Sequence, residues 1–293
     1  MIEMAAASGL TLLQTSERNP LFTTTYGFGE MIADAIRKGC RRFILGIGGS
    51  ATNDCGIGCL QALGFGIHNA SGQQVPYGAL GLAEVHSVTF DDVIPELREC
   101  QFYVASDVTN PLCGECGCSA VFAPQKGADA AMVAAMEQDI QRFADIVKRY
   151  IPEANPEFPG SGAAGGLGYA LHTFLKAELK RGVDVVIQQT GIENVIKTVD
   201  LVVTGEGRLD AQTVFGKAPV GIALTAKRYH VPVIAFCGCV GAGAEACNQN
   251  GIDAFFPILR NICTAEEALD TGNGRQNLSD TVEQVFRLMK IRT

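Results

Sequence analysis

The sequence predicts an α/β protein whose ligand sites lie where parallel strands end, and three observations carry that reading. Short β-branched runs alternate with stretches of helical period. Two of those runs lead straight into glycine-rich, acid-bearing turns, FILGIGGSATNDCG at 43–56 and LVVTGEGRLDAQTVFGKAP at 201–219. The composition, 47% hydrophobic and only 18% charged over 293 residues, supplies ample core for one large domain or two ordinary ones.

Taken in order, residues 29–40 read as a helix with Met31, Ile32, Ala35 and Ile36 on one face, closed by Lys38 and Gly39. A buried strand at 43–47 follows, then a helix at 56–64. Residues 65–100 are less regular, with turn clusters at 69–72 and 76–78. Residues 101–105 form a strand that delivers SDVTNPLCG. Residues 129–150 carry a full amphipathic stripe of Met132, Met136, Ile140, Phe143, Val147 and Tyr150. The proline- and glycine-rich stretch 151–168 ends in GSGAAGGLG and feeds a helix with Leu171, Phe174, Leu175 and Leu179 on one side. From Asp200 the rhythm is strand 201–204, polar turn, helix 220–229, strand 231–237 and strand 254–257. A last helix is expected at 281–289, started by Asp280 with Glu283 three residues on. These final hundred residues read as part of a doubly wound parallel sheet with too few strands to stand alone. The expected sheet is therefore completed from elsewhere, and the chain carries no internal repeat.

A net charge of −8 without basic runs or aromatic-basic interleaving argues against a nucleic-acid partner. No apolar run reaches the roughly 18 residues a membrane helix needs, and the expected location is the cytoplasm. Among eleven cysteines, Cys113, Cys116 and Cys118 form a cluster that Cys237 and Cys239 would have to complete as a metal site. Buried reduced thiols are the better reading, because paired knuckles are lacking. The four histidines share no metal spacing. GSGAAGGLG follows a loop rather than a strand, so it is not a dinucleotide fingerprint and is expected to pack closely or line a cleft.

Open α/β sheets bind ligands at the carboxyl ends of strands, so the two glycine turns are expected to share one cleft. Backbone N–H groups exposed by glycine hold anionic oxygens. Asp54, Glu206 and Asp210 would repel a phosphate unless a cation or a moving proton stood between them. A cradle joined to carboxylates reads as phosphoryl transfer assisted by Mg²⁺.

Seven segments, taken together, sharpen this. IEMAAASGL (2–10), NPLFTTTYGFGE (19–30), GIGGSATND (46–54), DVTNPLCG (107–114), APQKGA (123–128), GAAGGLGYAL (162–171) and TGEGRLDAQT with GKAP (204–213, 216–219) resemble the bacterial glycerate kinases, in order along the chain. The resemblance implies transfer of the ATP γ-phosphate to D-glycerate, giving 2-phosphoglycerate or 3-phosphoglycerate. It also implies a flavodoxin-like domain, incomplete here and ending in residues 196–293, with an inserted restriction-endonuclease-like α/β domain spanning 1–195. A homodimer is compatible with the sequence, which does not fix the oligomeric state. Proteins of this kind carry an upstream segment with APDSFK- and DGGEGT-type turns, and neither motif occurs in this sequence. The expectation is of a shortened family member. Its alternative to a working kinase is an impaired one that only binds nucleotide or an oligomer partner.

A kinase for a small hydroxy acid must hold polyphosphate, orient one hydroxyl and clamp a carboxylate. The resemblance assigns Gly48, Gly49 and Ser50 as the phosphate cradle, with Asn53 and Asp54 at its far end. Asp54 is expected to accept the hydroxyl proton or bind Mg²⁺; the competing reading is that Asn53 and Asp54 cap the next helix. Asp107 and Asn110 follow a strand and are candidate substrate or phosphate ligands, Asp107 alternatively a metal ligand, although Asx residues before proline are common turn-formers. Lys126 would meet phosphate or carboxylate, unless it is an ordinary exposed lysine at a helix start. In the richest stretch, Arg208 suits a carboxylate by a two-pronged contact and Lys217 suits phosphate. Glu206 or Asp210 would serve as metal ligand or base, and Gln212 and Thr213 as binding groups. The competing reading is a self-paired Arg208–Asp210 surface loop.

Overall fold

The computed structural model describes residues 1–291 and divides the chain into two compact units, Met1–Val185 and Val186–Thr293. Each is mixed α/β, as alternating strand and helix periods require.

In the first unit a four-stranded parallel sheet runs β1 (Ile2–Glu3), β2 (Arg42–Gly46), β5 (Gln101–Ala105), β6 (Glu178–Lys180) in spatial order. Leu45 lies opposite Val104 and Gly46 opposite Ala105, so β2 and β5 end side by side and their following loops emerge together. The irregular stretch contains a separate antiparallel pair, β3 (Gly66–His68) with β4 (Ser87–Thr89). Helix α1 (Tyr26–Arg37) buries Phe28, Ile32, Ala33 and Ile36, while α2 (Ile57–Ala62) buries Ile57, Cys59 and Leu60. A Cβ at Gly29 would fall 2.6 Å from the Cys59 carbonyl, so glycine sets how closely these helices approach. The long helix α3 (Ala130–Tyr150) is capped by Asp129, whose carboxylate accepts the Met132 N–H at 2.8 Å. Its stripe buries Met136, Ile140, Phe143 and Val147 as expected, whereas Tyr150 is exposed.

GSGAAGGLG serves close packing. Gly165 and Gly166, both at positive φ, press against the backbone of Thr52–Cys55, and the Gly165 carbonyl accepts the Cys55 N–H at 2.9 Å. Helix α4 (Leu167–Leu175) follows. Leu179 lies beyond it in β6, because Lys176 adopts the left-handed conformation and ends the helix.

In the second unit β7 (Val202–Leu209), β8 (Val233–Val240) and β9 (Ala254–Pro257) form a parallel sheet in consecutive order, with α5 (Ala218–Lys227) connecting the first two. Strand β7 continues five residues past the expected end at Thr204. Gly205 and Gly207 lie within the strand, and a Cβ at Gly205 or Gly238 would strike the neighbouring strand's carbonyl. The last helix, α6 (Thr271–Lys290), begins ten residues before the expected start. Asp270 caps it by accepting the Asn273 N–H at 2.8 Å, and Asp280 and Glu283 lie within it.

Candidate active site

The carboxyl ends of β2 and β5 open onto a cleft of about 440 Å³ in the first unit. Gly48, Gly49 and Ser50 form one wall, Ser106 and Asp107 another. Ala163 and Ala164 close it, Ala164 holding an uncommon positive φ of 54° for a residue with a side chain. A Cβ at Gly48 would meet nothing within 4 Å, and Gly49 has φ 70°, so this rim is bare backbone open to a ligand. Asp107 Oδ1 accepts the Gly182 N–H at 2.9 Å, which fixes its carboxylate at the wall.

Lys126 lines the same cleft and is only 2% exposed. Its ammonium donates to Ser50 Oγ at 2.8 Å and to the Thr52 carbonyl at 2.6 Å. Burial drives its pKa down to about 8, against smaller opposing effects of Cys118 and Asp54. An ordinary exposed lysine is therefore excluded. Pro124 opens a short turn, Pro124–Lys126, that directs the side chain inward. This depends on the 48–52 segment, far away in sequence.

The structure places Asp54 away from this cleft. It is fully buried and does not line the cleft. Its Oδ2 accepts from Thr25 N at 2.8 Å and Thr25 Oγ1 at 2.9 Å, and its Oδ1 accepts from Gly56 N at 3.1 Å. Burial pushes its carboxyl above the usual range, and the hydrogen bonds from Thr25 and Gly56 oppose that. Such a group ties the start of α1 to the turn before α2. It presents no exposed face. Asn53 is buried beside it and donates to Ser119 Oγ at 2.9 Å, so it too leaves the cradle. Asn110 donates to the Cys116 carbonyl at 2.8 Å, holding its own turn outside the cleft. Of the first unit's candidates, only Gly48, Gly49, Ser50, Asp107 and Lys126 share one opening.

The second unit gathers its candidates at the end of β7. Glu206 and Arg208 are two apart on the strand and so project to one side. Thr213 Oγ1 donates to Glu206 Oε1 at 2.7 Å and accepts the Asp210 N–H at 3.1 Å, which locks the bend. The Gln212 N–H reaches Asp210 Oδ1 at 3.0 Å, while the Gln212 residue itself is exposed. Asp210 sits between two cations, Arg208 Nε at 3.4 Å and Lys217 Nζ at 3.8 Å. Arg208 is thus engaged with Asp210 rather than presented freely to a carboxylate. Lys217 stands at the N-cap of α5, where the helix dipole also favours anions.

Glu206 and Asp210 are hard oxygen donors of the kind Mg²⁺ takes one or two at a time, leaving its other positions to water and phosphate. Among the described residues no group of three or more His, Cys, Asp or Glu is placed to hold a metal by itself. The pair therefore fits a metal brought in with a polyphosphate better than a resident ion. The cysteines do not gather as expected of a metal site: Cys113 and Cys118 are buried and Cys116 is exposed. Burial raises the Cys118 thiol to about 11 and the Cys113 thiol to about 12, values of protonated core groups.

A bare-backbone rim and an acid-base bend, each at a strand's carboxyl end, with a buried cation beside the first, are the features of an α/β enzyme that handles small anions. Comparison with known proteins makes this particular. The model of the glycerate kinase family matches residues 1–290. The chain is 46% identical over 270 residues to a glycerate kinase of Bacillus subtilis (strain 168), covering 92% of this chain and 71% of that protein. It is 44% identical over 267 residues to a glycerate 2-kinase of Escherichia coli (strain K12), covering 91% and 70% respectively. A crystal structure of a candidate glycerate kinase 2 from Salmonella typhimurium LT2 superposes with a TM-score of 0.87 at 41% identity, over 99% of this chain and 75% of that one. The chain belongs to the glycerate kinase family.

Proposed function

We propose that this protein is an ATP-dependent D-glycerate kinase forming 2-phosphoglycerate. The observation that carries the reading is 44% identity to a glycerate 2-kinase over 91% of this chain, in a fold whose own strand ends carry polar groups suited to anions. The acid-base bend of the second unit handles the polyphosphate. Lys217 and Arg208 neutralise phosphate oxygens, and Glu206 and Asp210 divide the roles of Mg²⁺ ligand and proton acceptor. When bound with ATP, Mg²⁺ supplies charge neutralisation of the moving phosphoryl group. Thr213 holds Glu206 and the Asp210 backbone in register, while the Gln212 N–H fixes the Asp210 carboxylate. In the first unit the Gly48–Ser50 rim, Asp107 and Lys126 receive a small anion. Asp54 and Asn53 hold that rim in place from beneath.

The consecutive parallel order of β7, β8 and β9 supports assigning the second unit as the C-terminal part of a flavodoxin-like domain, and the first as its inserted partner. Eleven free cysteines, several of them buried as thiols, support a reducing cytoplasmic setting.

The test is ADP release by the purified chain with ATP and Mg²⁺. Release that requires D-glycerate, and is not evoked by glycerol or by lactate, is the expected result. ADP release indifferent to the added acid would overturn the assignment.

A further inference from the structure

A lysine that is 2% exposed needs a reason to be there, because a desolvated ammonium is costly unless paired. Lys126 has three N–H donors and spends two on neutral oxygens, Ser50 Oγ and the Thr52 carbonyl. Asp54 and the Cys118 thiol act on it only through space. No carboxylate is in contact with it, yet it lines a cleft of about 440 Å³.

We infer that Lys126 is the specificity-determining cation of this cleft, its remaining N–H receiving the carboxylate of the hydroxy acid while Ser50, Ser106, Gln125 and Asp107 surround the rest of that molecule. This rests on the kinase reading above and deepens it by naming where the acid is held.

Charge decides between a carboxylate and a polyphosphate here. Among the residues lining the cleft Lys126 is the one cation and Asp107 the one carboxylate. A small monoanion pairs with the first and donates a hydrogen bond from its non-reacting hydroxyl to the second. A triphosphate keeps a net negative charge even with one Mg²⁺ bound, and would bring it toward Asp107 with no second side-chain cation to meet it. Ser50 Oγ accepts from Lys126, so its own proton is directed elsewhere, toward a ligand acceptor. The same contact couples the lysine to the glycine rim.

The groups facing the ammonium are Asp54 and Cys118 below, Ser50 beside it and Asp107 across the cleft. With an ordinary state that loses its proton near pH 8, the binding-competent cation is depleted above that pH. D-glycerate affinity of the wild type is therefore expected to fall about tenfold per pH unit above about 8.

The experiment is calorimetric titration of D-glycerate into the full chain, wild type and Lys126→Met, from pH 7 to 9.5, with steady-state constants for ATP measured alongside. At pH 7 the variant should bind D-glycerate about 10- to 100-fold more weakly, the range for a hydrogen bond to a charged group. Its KM for ATP should stay within about twofold, and its residual affinity should not vary with pH. Unaltered D-glycerate binding in the variant overturns the inference. So does a raised ATP constant with D-glycerate binding untouched, which would assign Lys126 to the polyphosphate. Should Lys126→Met fail to fold, the wild-type profile decides, and an affinity flat to pH 9.5 contradicts the inference. A wild type that binds no D-glycerate at all overturns the kinase reading itself, an outcome distinct from the others.

Discussion

The two glycine turns look alike in sequence and are opposite in structure. After β2 the chain passes its bare rim and then dives inward, so Thr52, Asn53 and Asp54 are all fully buried. After β7 it stays at the surface, and the Asp210 side chain keeps 20% of its exposure between Arg208 and Lys217. The difference lies in the donors each acid finds. Asp54 is satisfied from within by Thr25 and Gly56, whereas Asp210 is flanked by side chains that an incoming phosphate can also use. An acid beside a glycine bend is a proposed reagent in one case and a buried structural group in the other.

That contrast can be broken most forcefully at the two aspartates. Asp210→Asn should lower kcat/KM for D-glycerate phosphorylation by about 10²–10⁴-fold, the usual weight of a positioned acid-base group. Its melting temperature should barely move, since its ion pairs are partly exposed and weak. Asp54→Ala should do the reverse. Three buried donors lose their acceptor, so denaturant unfolding should show a loss of about 3 kcal/mol or more. Turnover per folded molecule should fall far less than in Asp210→Asn. Equal loss of activity per folded molecule in both variants would erase the distinction.

A smaller effect comes from Lys126, whose folded pKa of about 8 lies below the ordinary 10.5. The folded state sheds this proton first, so between about pH 8 and 10.5 the unfolded chain binds more protons and stability rises with pH. Relative to Lys126→Met, which cancels the titration of the cysteines, urea unfolding should show the wild type gaining up to about 3 kcal/mol across that window. A difference independent of pH would show that the lysine is not held charged against burial. Smallest is Thr213→Val, which removes the hydroxyl bonded to Glu206 and to the Asp210 N–H. Unfolding should register about 1 kcal/mol, with a rise in KM for ATP larger than any change for D-glycerate.

Much of the fold was readable because local rules governed it. The long helix at 130–150 declared itself through its apolar stripe and its Asp129 cap, and strands β5 and β9 through β-branched and aromatic runs. Other features depended on partners distant in the chain. The two-residue β1 has no pattern of its own and exists because Leu45 and Gly46 lie alongside it. Gly205 and Gly207 resemble a turn in isolation but are strand positions beside β8. Glycines at 272 and 274 hid the true start of α6. Within the candidate site, the rim glycines and the acid-base bend stand out in the sequence by residue type and spacing. The retreat of Asp54 and the burial of Lys126 do not, because each is fixed by segments tens of residues away.

The most direct measurement is the ³¹P NMR spectrum of the product made from ATP and D-glycerate by the purified protein. Phosphate on the C2 oxygen couples to a single carbon-bound proton, so a new doublet beside the ADP signals is the expected result. A triplet, from phosphate on the CH₂ oxygen, would contradict the proposed product, and a spectrum with ATP unchanged would contradict the kinase itself.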